Sequence, residues 1–110
     1  MLYSVKITIA ADDTAQAVTD AVLTAASISL SKSKANQVTI YSETANNAAL
    51  PARAGGAQAH RTNAIGLPLL PGFERTFAQA SGITISPHDV KTTYVSGKQN
   101  DVFNYTWFVV

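Results

Sequence analysis

Residues 102–110, VFNYTWFVV, alternate so regularly that they restrict what the chain can fold into. In an extended strand Phe103, Tyr105, Trp107 and Val109 fall on one side, and Val102, Asn104, Thr106, Phe108 and Val110 on the other. The second side is too apolar for a purely wetted surface, and a strand apolar on both sides is usually covered on both. The cover is expected from the chain's own middle segment or from another subunit. A carboxylate at Val110 argues against deep burial of the tip, which places this end at an edge or seam.

Residues 90–95 alternate as well, and the stretch between, SGKQND, is rich in turn formers. This predicts a closing hairpin with Tyr94 opposite Phe103, Thr92 opposite Tyr105 and Val90 opposite Trp107. That register maximises aromatic and β-branched cross-strand pairs, each worth roughly 0.2–1 kcal/mol.

From the start of the chain, residues 2–9 read as a strand with Tyr3, Val5, Ile7 and Ile9 on its buried side. Asp13 with Gln16 three residues later has the form of a capping box. It predicts a helix through Ala25 with Ala15, Val18, Val22 and Ala25 as its apolar stripe. Asp12, Asp13 and Asp20 belong to capping and the helix surface rather than to a metal cluster. Residues 28–42 suggest a second hairpin, with Ile28 and Leu30 in its first arm and residues 38–42 in its second. Residues 44–72 show no sustained period, and so long an unpatterned stretch is unusual in a compact domain. Its Leu67, Leu69 and Leu70 argue against simple disorder, which predicts a long central loop or arm packed over the sheet or a neighbour. A short helix is expected over residues 73–80, ended by Gly82, before Ile83 to Ile85 and a turn at Pro87.

A chain of 110 residues has room for one domain and a core of its own. It contains no cysteine, which removes thiol catalysis, thiolate metal sites and disulfides. Its formal net charge of +1 gives no argument for nucleic acid or membranes by itself. Only 14% of residues are charged, against about 25% in an ordinary soluble domain. A surface so short of charge is poorly protected against self-association. Nothing resembles a signal peptide or a membrane span, so the expected location is cytoplasmic or within a virion.

Candidate chemistry is sparse. His88 and Asp89 are the candidates for a catalytic pair, alongside the simpler reading of a turn after a proline. No serine sits in a nucleophile elbow, and AGGA at residues 54–57 is no phosphate loop. No cofactor or metal is implied. Between residues 44 and 73 the only full charges are Arg53 and Arg61. With Lys32 and Lys34 they are the candidate contacts to nucleic acid, as a secondary partner. Leu67, Leu69, Leu70, Phe108 and Val110 are the candidate subunit interface.

The expected fold is α+β, a single domain over residues 1–110. It has a mainly antiparallel sheet of four to six strands, one or two helices on one face, and the excursion at 44–72. The leading expectation is a non-enzymatic subunit that self-assembles into a homo-oligomer, such as a virus-like or phage-like particle or another repeating array. The alternatives are a small module that binds a ligand or oligonucleotide with its aromatic face and central loop, and a small enzyme with a His-Asp site.

Overall fold

A computed structural model describes residues 1–35, 37–78 and 88–109, with His88 placed by its backbone alone. Along the chain these form β1 (Leu2–Thr8), α1 (Asp20–Ala25), a 3-10 turn (Leu30–Lys32), β2 (Lys34–Ala35), β3 (Gln37–Ser42), β4 (Ala52–Gly55) and β5 (Leu67–Leu69). There follow β6 (Glu74–Ala78), β7 (His88–Asp89), a second 3-10 turn (Val90–Thr92), β8 (Tyr94–Ser96) and β9 (Val102–Phe108). The described fold is mostly antiparallel sheet with few helical turns.

The alternating strand β9 lies inside a four-stranded sheet of order β1-β9-β3-β6. Its aromatic side forms rows with its neighbours. Trp107 lies between Tyr3 and Val38, Tyr105 between Val5 and Ile40, and Phe103 between Ile7 and Ser42. All three rings are buried, each contributing roughly 1.5–3 kcal/mol relative to exposure. Their polar handles are satisfied. The Tyr105 hydroxyl donates to the Thr93 carbonyl at 2.6 Å, and Trp107 Nε1 donates to the Lys32 carbonyl at 2.6 Å.

A three-stranded sheet, β5-β4-β8, brings Ala52, Ala54, Leu69 and Val95 into the same core. Val18, Leu23, Ile28 and Val90 complete it from the connecting segments. The chain is thus organised as two antiparallel sheets around one apolar core, with β2 and β7 paired separately.

The structure departs from several expectations. The closing hairpin does not form, because β8 pairs with β4 while β9 pairs with β1 and β3. Asp89 Oδ1 accepts the Lys91 amide, turning residues 90–92 into a 3-10 turn and leaving β8 only three residues. The longer β1 and β3 satisfy both edges of β9 along its length. Tyr105 does reach the 90–95 segment, but through its hydroxyl across the core, not through a strand ladder.

The helix expected from residue 13 is confined to residues 20–25, capped by Thr19 Oγ1, which accepts the Val22 amide. Gln16 does not serve a capping box. Its backbone exchanges hydrogen bonds with Val95, and its side chain binds the backbone of Ala10 and Thr8. Within the helix expected at 73–80, Glu74–Ala78 form β6 instead, whose Phe77 lies opposite Val38 along the edge of β3, and residues 79–80 lie outside the described residues. Ile28 and Leu30 form no hairpin arm, since the chain makes a 3-10 turn there. Residues 44–72 are an arm only in part, because β4 and β5 lie within them. The expected strand start at 83–85 and the turn at Pro87 lie outside the described residues.

Candidate functional site

Of the charged residues in the central segment, Arg61 is engaged inside the molecule. Asp13 adopts a left-handed backbone (φ 59°) and its amide donates to the Gly97 carbonyl. This turns its carboxylate toward the 61–62 loop. Arg61 Nε donates to Oδ1 and Thr62 Oγ1 to Oδ2, both at 2.8 Å, while the Arg61 amide donates to Ser96 Oγ. The Arg61 hydrogen bond, then that of Thr62, holds the Asp13 carboxyl below its ordinary range. The arrangement is a clasp between the central segment and β8. Arg53 is half-buried, with Nη1 donating to the Gly66 carbonyl. Lys32 and Lys34 are exposed beside β2.

Asp89 is occupied locally. Its side chain caps the second 3-10 turn, and its carbonyl accepts the hydroxyls of Thr92 and Thr93. The His88 side chain lies outside the described residues, and its backbone pairs with Ala35. His60 Nδ1 accepts the Asn63 amide and shapes its own loop. Among the described residues no group of three or more His, Cys, Asp or Glu side chains is placed to hold a metal ion. None of their helices is long and apolar enough to cross a membrane.

The expected interface residues separate by burial. Leu67, Leu70 and Phe108 are about half exposed, whereas Leu69 is 1% exposed and belongs to the core. Val110 lies outside the described residues. The central segment exposes further large apolar side chains at Leu50 and Ile65, and Phe73, directly after it and taken with it, is 65% exposed. Continuing the Ala52–Leu69 register by one step brings Pro51 opposite Leu70, so Leu50 and Leu70 lie at the same end of β4 and β5.

Two features escaped the sequence reading. The first is the outer side of the four-stranded sheet, where Ser4, Thr106, Thr39 and Thr76 form a row across all four strands. Their hydroxyls bond in pairs, Ser4 to Thr106 at 3.1 Å and Thr39 to Thr76 at 3.0 Å. The next row is Lys6, Asn104, Tyr41 and Glu74. Above it, Glu43 accepts from Asn104 Nδ2 at 2.9 Å and pairs with Lys6 at 3.3 Å, which together lower its carboxyl. Polar residues at every second position of each strand were the available signal, but their alignment depends on strand order.

The second feature is the contrast between two sheet edges. On β5, Pro68 has no amide proton to offer, and its carbonyl already accepts from Arg75 Nε at 2.9 Å. This edge is closed to another strand. β1 is different. Met1 and Val109 exchange backbone bonds, and the Ile9 amide donates to the Asp101 carbonyl, so odd residues of β1 face β9. The backbone groups of Leu2, Ser4 and Lys6 therefore point outward. Beside them runs an open groove of about 450 Å³ lined by Ser4, Val5, Lys6, Val22, Ala25 and Ala26. A smaller hollow of about 290 Å³ lies among Gln16, Thr19, Lys91 and Tyr94.

The aromatic side of β9, one expected ligand surface, is closed by the core. No protein-family model, curated protein or solved structure matches this chain.

Proposed function

We propose that this chain is a non-enzymatic structural subunit that self-assembles into a homo-oligomer, in the manner of a virus-like particle or another repeating array. The observation that carries the reading is the exposed apolar set of the central segment. Leu50, Ile65, Leu67, Leu70 and Phe73 are each between 42% and 65% exposed on a surface short of charge. Contiguous exposed apolar patches mark interaction surfaces more often than scattered side chains do, and of this set Leu50 and Leu70 lie at the same end of β4 and β5. Nucleic acid is the secondary partner in this reading, with the exposed Lys32 and Lys34 as the groups that meet phosphate.

Light scattering behind a size-exclusion column, with absorbance at 260 and 280 nm, tests it. The expected result is a discrete mass at a multiple of the 11.6 kDa chain. A raised 260/280 ratio would add packaged nucleic acid, and a protein-like ratio would remove that partner. A mass that stays monomeric at high concentration overturns the assembly itself.

A further inference from the structure

We propose that β1 is a seam between copies: it pairs antiparallel with the β1 of a second subunit, centred on Val5, joining two four-stranded sheets into one. The inference deepens the self-assembly reading and rests on it.

The backbone supplies the first argument. Leu2, Ser4 and Lys6 present outward N–H and C=O groups, and among the described residues no strand pairs with that side of β1. An unpaired row of this kind is a template for another strand. Because the outward residues are the even ones, a second β1 must place even residues against even residues. Centring on Val5 does so, with Ser4 opposite the second copy's Lys6 at its middle. Leu2 falls opposite Thr8 at each end, where the Thr8 carbonyl already accepts from Gln16 Nε2 and only its amide is open to the second copy. Centring on Lys6 would set two lysines face to face, which is destabilising. Centring on Ser4 would leave part of the strand without a partner.

The side chains supply the second argument. A lysine on an edge strand ordinarily guards it against pairing. Here Lys6 is drawn inward over β9 by Glu43, which is itself anchored by Asn104. The groove beside the edge is bordered on the helical side by Val22 and by two small side chains, Ala25 and Ala26. Leu2 and its cross-strand neighbour Phe108, at 62% and 53% exposure, form an apolar patch next to the seam. The outer edge at β5, by contrast, is closed by Pro68 and Arg75.

The absence of cysteine makes the test direct. In a hydrogen-bonded antiparallel pair the Cα atoms of opposed residues lie about 5.5 Å apart, within the span a disulfide bridges. Ser4→Cys and Lys6→Cys are prepared as separate full-length proteins, then oxidised alone and mixed. The expected result is a covalent dimer in the mixture and little in either alone. In parallel, Ser4→Pro removes an amide that points outward, a place where an edge strand tolerates proline. It is expected to lower the mass seen by light scattering while Trp107 fluorescence stays native.

An oligomeric wild-type protein with no mixed disulfide overturns the seam and leaves self-assembly standing. Lys6→Cys linking to itself assigns another register and overturns this one. A monomeric wild-type protein overturns both readings. Should Ser4→Pro fail to fold, the mixed disulfide decides alone.

Discussion

Asp13 shows how much one side chain can settle at a distance. Its left-handed backbone aims the carboxylate at Arg61 and Thr62, forty-eight and forty-nine residues along the chain, tying the first connection to the central segment. The Arg61 hydrogen bond, with Thr62 second, depresses the Asp13 carboxyl. A carboxylate depressed in the folded state contributes its stability fully above its unfolded value, about 3.9. It loses that contribution as pH falls through the lower folded value. Asp13→Asn removes this linkage. The variant is expected to be less stable than the native chain near neutral pH by about 1.5–3 kcal/mol, the range for hydrogen bonds to a charged group. The difference should narrow as acid protonates Asp13 in the native chain. Urea midpoints taken from pH 7 down to pH 2 test this, and a gap independent of pH would refute it.

At the scale of elements, faces were legible in the sequence and partners were not. The burial pattern of β9 alternates as its residues do, with Phe103, Tyr105 and Trp107 inside, and β1 and β3 bury Val5, Ile7, Val38 and Ile40 as their patterns require. Side-chain alternation decides which side of a strand meets the core, but it says nothing about which strand lies at its edge. Residues 90–96 matched β9 in period yet joined the other sheet. The arrangement was settled by the Asp89 cap and by the longer ladders that β1 and β3 offered. Gln16 was misread for a similar reason, since its extended pairing with Val95 overrode a good local capping pattern. Of the candidate interface residues, Leu67, Leu70 and Phe108 are exposed. Leu69 differs because β5 turns that residue inward.

The β4–β5 connection carries a prediction at this scale. Gly66 has φ +104°, and a Cβ there would come within 2.8 Å of the Ala54 carbonyl oxygen. Gly66→Ala combines backbone strain with that clash. It should cost about 1–3 kcal/mol, read as a lower denaturant midpoint. An unchanged midpoint would mean that the close approach of Gly66 to β4 does not hold in solution.

For the whole molecule, the number and kind of contact surfaces decide what an assembly can become. A β1–β1 seam is isologous, so two copies close on a twofold and use up that surface. A seam alone therefore stops at a dimer, and a repeating array needs a second, separate contact. In the proposed assembly that contact is the exposed apolar set of the central segment, since β4 and β5 belong to the other sheet from β1. The two surfaces then have separable effects. Leu70→Lys with Phe73→Glu places opposite charges on that segment, at side chains 45% and 65% exposed. Surface changes of this kind usually move stability by no more than about 0.5 kcal/mol. The double variant is therefore expected to keep its melting temperature yet to stop at the mass of a dimer. Carried into the Ser4→Cys and Lys6→Cys proteins, the same two changes should leave the mixed disulfide intact. Ser4→Pro should stop instead at whatever species the central segment joins, and the three changes together should give a monomer. Light scattering on the three proteins reads this directly. If the charged double variant assembles to the same mass as the native chain, the central segment is not the second contact. The array would then have to grow through a different surface.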